Sequence, residues 1–258
     1  MLYESMISQR LCLLSGFILL TAAAPALTSQ TLAAQSASAR YQDCLRTASL
    51  DPSRALAMAT EWRKAKGGAP ADHCAAVSLV ELKRYPEAAT RLDALGRAPD
   101  MGNLRPQIFD QAGNTWMMAG EADKAVASFS AALALSANDA DLYADLARAQ
   151  AMKKAWGEAE ADLNEALRLQ PRRPDLLVLR ASARDARGKL KEARQDVDQA
   201  LSLKPLAPEA LVERGQIARH AGDVAAAKRD FENVLKVQKS GEAAATARQE
   251  LDALAANK

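Results

Sequence analysis

The chain has 258 residues, 49% of them apolar, enough for one continuous core. Lys and Arg number 34 against 32 Asp and Glu, a net charge of +2. Their short clusters, Lys153-Lys154 and Arg172-Arg173, lie near carboxylates, and phosphate binding needs a concentrated basic face, so nucleic acid is excluded as a partner. Aromatic residues make up only 4% of the chain, a composition suited to helices that approach closely over small side chains.

At the N-terminus, residues 11–20 form an uncharged apolar run behind Arg10, followed by the small-residue stretch Thr21 to Ala26. This order predicts a secretory signal peptide. Ala24 with Ala26, or Ala37 with Ala39, satisfies the small-x-small rule, so cleavage is expected somewhere in 26–39, and Met6 is an alternative start. The competing reading is an uncleaved anchor stretched to Leu27. Residues 1–39 are accordingly set aside as signal plus flexible stretch. The expected location is the periplasm of a bacterial envelope, with membrane anchoring only if the signal is retained.

Cys12 leaves with the signal, and Cys44 and Cys74 remain. An even pair in an oxidising compartment reads as a candidate disulfide, and two buried thiols is the alternative. Both cysteines fall in first helices of neighbouring helix pairs within a divergent N-terminal region, 40–105. Asp51-Pro52-Ser53 makes a turn there, after which Ala55, Leu56, Ala59 and Trp62 form one apolar face. The run from Lys66 to Pro70 breaks that helix. Residues 96–105, with Gly96, Pro99 and Gly102, interrupt the pattern as a local loop or a change of superhelical direction.

From residue 106 a template recurs every 34 residues. Gly120, Lys154, Gly188 and Gly222 hold one column; Ala125, Ala159, Ala193 and Ala227 a second; Phe129, Leu163, Val197 and Phe231 a third. Ala132, Ala166, Ala200 and Val234 form a fourth, and Leu135, Leu169, Leu203 and Val237 a fifth. The units are 106–139, 140–173, 174–207 and 208–241. Positions 1–14 of each predict one helix and positions 16–30 a second, with a turn at position 15. Pro106, Pro174 and Pro208 stand near starts of first helices, and Pro171 and Pro205 just past second ones. A period in this range indicates stacked helix pairs. Ala or Gly at position 8 and Ala at position 20 admit close approach, while positions 4, 24 and 30 fill the space beside it. After Gly241, residues 242–258 predict one closing helix with Ala245, Leu251 and Leu254 on its apolar side.

These columns resemble the tetratricopeptide repeat, with small residues at positions 8, 20 and 27 and proline near 32. The resemblance covers 106–241 and, less strictly, 71–95, where Ala76, Leu79, Tyr85, Ala88 and Leu92 fit. It implies an all-α fold, a right-handed α-solenoid of about six antiparallel helix pairs with a C-terminal capping helix. It further implies a non-enzymatic scaffold that binds a protein or peptide on the concave face of its first helices. Positions 2, 5, 9, 12 and 13 line that face in the family. The partner-binding candidates are Asp110, Asn114, Met117, Met118, Arg148, Met152 and Arg219. Ala144 and His220 occupy further groove positions. Methionine adapts to apolar ligands of different shape, although a neutral helix filler is the competing reading. The alternative is a structural repeat protein that contacts partners through its convex face or termini.

Nothing in the sequence predicts catalysis. His73 and His220 stand near opposite ends of the stack, and no phosphate loop, zinc motif or nucleophile elbow occurs. The expected cofactors and metals are none, and no small-molecule substrate is expected. The implied partner is a protein or peptide of an envelope complex.

Overall fold

The computed structural model describes residues 29–256, with side chains from residue 37. The chain divides into two compact units, residues 1–39 and residues 40–258. The proposed signal run and anchor, residues 11–27, lie outside the described residues. Ser29 to Ala39, expected as flexible, are instead helical. No described helix is long and apolar enough to cross a membrane.

Thirteen α-helices and one 3-10 helix, with no strand, make up the described residues. In order they are α1 (Ser29–Leu50), α2 (Pro52–Lys64), α3 (Gly68–Glu81), α4 (Tyr85–Arg97), the 3-10 helix η1 (Pro99–Leu104), α5 (Arg105–Met118), α6 (Ala122–Leu135), α7 (Ala140–Met152), α8 (Trp156–Leu169), α9 (Pro174–Ala186), α10 (Leu190–Leu203), α11 (Pro208–His220), α12 (Val224–Val237) and α13 (Glu242–Ala256). Each helix packs on its sequence neighbour from α2 to α13, the connectivity of an α-solenoid. The first helices also touch in succession: α5 with α7, α7 with α9, α9 with α11, and α11 with α13.

The alanines at position 20 are essentially inaccessible, and so are Phe129, Leu163, Val197 and Phe231 at position 24. The partner of position 24 explains position 8. A methyl group at Gly113 would stand 2.6 Å from the Phe129 ring, and one at Gly215 would stand 2.6 Å from Phe231. Where position 24 carries Leu163 or Val197, position 8 carries Ala147 or Ala181. Ring and glycine are therefore one packing unit, which sets how closely two helices approach. Position 30 fills as expected in the two middle units, where Leu169 and Leu203 pack against the core, but Leu135 and Val237 are 45% and 42% exposed.

The turns at position 15 need a left-handed residue. Gly120, Gly188 and Gly222 have φ of 75°, 74° and 80°, and Lys154 adopts φ 60° in the same place. The break expected at Lys66 to Pro70 is confined to Lys66 and Gly67, because α3 begins at Gly68. The interruption at 96–105 is local: η1 bridges it while α4 packs directly on α5. In α13 Leu251 and Leu254 pack against the core as expected, and Ala245 does not. Ala243, Ala244 and Ala247 are buried, and Ala245 is exposed because it lies on the other side of the helix from those three.

The N-terminal end carries a covalent tie. Cys44 of α1 and Cys74 of α3 form a disulfide, with Cα atoms 6.2 Å apart and a sequence separation of 30. Both sulfurs lie in a buried cluster with Ala59 and Ala75.

Candidate functional site

The candidate residues concentrate on α5 and its flanks. Asp110 and Asn114 are one helical turn apart, and the Asn114 side-chain amide donates to Asp110 Oδ1 at 3.0 Å and to its carbonyl oxygen at 3.1 Å. Asp145 of α7 reaches the same pair from the next unit, and Arg148 forms an ion pair with Asp145. Burial, together with the carboxylates of Asp145 and Asp139, pushes the Asp110 pKa up to about 6. Burial also raises that of Asp145 against the opposing pull of Arg148. Asp139 caps α7, its carboxylate accepting from the backbone N–H of Asp141 at 3.0 Å and Leu142 at 3.3 Å.

Three cavities border α5. One of about 410 Å3 is lined by Pro106, Gln107, Asp110, Leu135, Asp139 and Leu142, with Gly102, Asn103 and Ser136. A second, of about 550 Å3, lies between Tyr41, Pro70 and His73 on one side and Met101, Leu104 and Ile108 on the other. A third, of about 230 Å3, is walled by Val77, Val80, Leu92 and Met118. On the floor of the second, the two ring nitrogens of His73 lie 2.8 Å from the Tyr41 hydroxyl and 2.8 Å from Gln111 Oε1, which ties α1, α3 and α5 together.

Not all the candidates gather here. Met118 is 60% exposed and lines the third cavity, whereas Met117 is half-buried against Trp116 and Phe129. Met152 is exposed on α7 and borders none of the three. Ala144, a groove position by resemblance, is buried among first-helix contacts. Arg219 is occupied: it pairs with Glu250 of α13 at 3.1 Å, and His220 beside it pairs with Asp185 at 2.7 Å. The face therefore closes over at its C-terminal end. No group of three His, Cys, Asp or Glu among the described residues is placed to hold a metal ion.

Charged residues outside the candidate set form a second structure in α8–α12. Asp196, almost fully buried, receives Arg180 at 2.6 Å and Arg184 at 2.7 Å. Glu160 receives Arg184 at 3.0 Å, Lys189 at 2.9 Å and Arg187. Burial opposes ionisation of Glu160, but its hydrogen bonds to Lys189 and Arg184 prevail and lower its pKa. Arg214 and Asp230 repeat the Arg180–Asp196 pair one unit later at 2.6 Å. Glu213 is the exception. It is 8% exposed, no described residue hydrogen-bonds it, and burial with the nearby Asp185 pushes its pKa up to about 8. The folded chain then holds a proton that the unfolded chain releases at lower pH. Stability falls as pH rises from 4.5 towards 8.

Helix pairing, turn geometry and small-residue columns together define the architecture. The fold is that of the tetratricopeptide repeat. The C-terminal part of a TPR repeat-containing protein from Cytophaga hutchinsonii superposes with a TM-score of 0.62 at 16% identity, over 79% of this chain and 78% of that one. MamA from Desulfovibrio magneticus RS-1, residue 41 to its end, gives 0.58 at 19% identity over 67% and 97%. A thermophilic TPR protein of Thermus thermophilus gives 0.56 at 18% over 69% and 94%. At these identities the likeness is one of fold. No family model matches the sequence, and no curated protein matches it.

Proposed function

We propose that the chain is a non-enzymatic scaffold of the bacterial envelope that binds a protein or peptide along the face of its first helices, centred on α5. The observation that carries this reading is the gathering of three cavities around one first helix, with the carboxylate of Asp110 and the exposed thioether of Met118 on their walls. Successive first helices touch, a closeness no pair of successive second helices matches, which supports reading their side as the concave one. The TPR fold of the compared structures supports the scaffold role by analogy of architecture. Export is supported by the apolar run at 11–20 and is compatible with the Cys44–Cys74 disulfide, which persists in oxidising compartments.

Charge reversal in Asp110→Lys, or Met117→Ser with Met118→Ser, is expected to reduce recovery of the partner in affinity capture from the envelope fraction. Unchanged recovery by folded variants would remove the first-helix face and leave the convex face or the termini. Fractionation with N-terminal sequencing of the mature chain tests export, and a cytoplasmic chain that keeps its N-terminus would end that part of the proposal.

A further inference from the structure

The three cavities follow one another along α5 from its first turn to Met118: the first and second share Gln107, and the second and third share Gln111. Together they are treated as the lobes of one trough. We infer that the occupant of this trough is a cationic amphipathic segment of a partner protein, one that presents Lys or Arg between apolar side chains. The inference rests on the first-helix face being the binding face.

The charge on the walls has one sign. Asp110 and Asp139 line the first lobe and Asp100 the second, and no Lys or Arg lines any of the three. None of these carboxylates has an ion-pair partner among the described residues, although the chain as a whole carries +2. Three buried carboxylates elsewhere, Glu160, Asp196 and Asp230, are met by guanidinium groups, whereas Glu213 and Asp162 are not. His73, the one basic-capable residue on the walls, has both ring nitrogens engaged. A desolvated carboxylate is stabilised by a cation brought to it, so the trough favours a positively charged ligand and repels an acidic one. Beside neutral polar groups such as Gln107, Gln111 and Asn114, the lining is apolar: Met101, Leu104 and Ile108 in the second lobe, Val77, Val80 and Met118 in the third.

The lip of the trough comes from the segment that breaks the 34-residue period. Asp100, Met101 and Leu104 belong to η1, and Leu104 is 58% exposed beside the second lobe. A regular helix-to-helix turn supplies no such wall. The insertion therefore makes a pocket where a standard repeat has an open face.

The test uses the full chain and a fluorescent peptide of alternating Lys and Leu, with alternating Glu and Leu as its counterpart, read by anisotropy. The Lys-Leu peptide is expected to bind about tenfold tighter than the Glu-Leu peptide. Asp110→Asn with Asp139→Asn should weaken it about tenfold, while Glu192→Gln on exposed α10 leaves it unchanged. Asn at 139 keeps the helix cap, so the paired variant stays folded. Equal binding of both peptides, or equal loss in Glu192→Gln, overturns the inference. A photo-crosslinker at Gln111 in producing cells separates the two levels of the claim. Crosslinks to a Lys- or Arg-rich stretch support it, and crosslinks to a neutral or acidic stretch overturn the charge class but keep the face. No crosslink from Gln111, Gln107 or Met118 overturns both.

Discussion

Gly215 sits in the middle of α11, where glycine costs about 1 kcal/mol of helix propensity relative to alanine. Its replacement by alanine is nevertheless expected to destabilise the protein. An added Cβ would stand 2.6 Å from Phe231 Cε1 and 2.9 Å from Cδ1 and Cζ, about 1 Å inside normal carbon–carbon contact. The ring is fully buried in a cluster with Leu211, Ala227, Val234 and Ala247, so its displacement would disturb close-packed neighbours. Overpacking of this kind costs about 1–3 kcal/mol, so after the propensity gain the net loss is up to about 2 kcal/mol. In a Phe231→Leu background the same change should be neutral or stabilising by up to about 1 kcal/mol, because unit 140–173 already combines Ala147 with Leu163. The double-mutant cycle should thus give a coupling of about 1–3 kcal/mol. Repeat arrays lose two-state behaviour readily, so hydrogen exchange of α11 and α12 should accompany urea unfolding. A Gly215→Ala variant that is neutral with Phe231 in place, or one that changes stability equally in both backgrounds, would refute the argument.

Glu213→Leu, which copies Leu179 at the same position of the preceding unit, should gain stability over the parent chain by up to about 3 kcal/mol at pH 7, with the gain vanishing near pH 4; paired urea melts across pH check this, and a pH-independent difference counts against it. Lys154→Gly removes a left-handed lysine and should raise the urea midpoint by an amount worth up to about 1 kcal/mol, whereas Gly188→Lys at the equivalent turn should lower it. Reduction of the Cys44–Cys74 disulfide should destabilise α1–α3 by about 3.6 kcal/mol through regained loop entropy, seen as faster exchange there with α9–α12 unchanged.

The helix pairs were legible because five columns kept one interval, and a 34-residue interval admits few alternatives to stacked hairpins. Position 30 was read correctly for Leu169 and Leu203 but not for Leu135 and Val237; all four end their helices, so neither apolar identity nor place in the helix separates them. The column at position 23 went unnoticed although its signal was present. Asp196 and Asp230 are one period apart, and so are Arg180 and Arg214, which pair with them. Asp162 stands in the same column but faces Leu146 at position 7 instead of arginine. Burial pushes its pKa up to about 6, and its Oδ2 has no hydrogen-bond partner, nor does Gln150 Oε1. Asp110, Asn114 and Met118 could be read from family positions. Asp139, Asp145 and the η1 lip could not, since an insertion has no template and a carboxylate one position out of register belongs to no expected set. Arg219 looked free because the contact that occupies it comes from α13, outside the repeat.

The two halves of the stack manage charge differently, and the contrast has a physical consequence. Across α8–α12, guanidinium groups enclose Glu160, Asp196 and Asp230, linking one helix pair to the next through directed bonds. Burying such pairs sacrifices hydration, so their net contribution to stability is small, but displacing either partner strands a charge in a dry interface at a cost of about 3–5 kcal/mol. The arrangement therefore resists sliding between successive units more than it stabilises any one of them. Around α5 the directed bonds come mostly from neutral donors: Asp93 of α4 accepts from Trp116 Nε1 at 2.9 Å and from Ser128 Oγ at 2.8 Å, and His73 joins Tyr41 to Gln111. The buried contacts are those of Phe109, Trp116 and Phe129 with small neighbours, and the carboxylates of the face look into cavities. Apolar packing is less directional than ion pairing, so the N-terminal units have more freedom to adjust their spacing than the C-terminal ones. On this argument amide exchange at equal depth of burial should be slower in α8–α12 than in α5–α7, and equal rates would refute it.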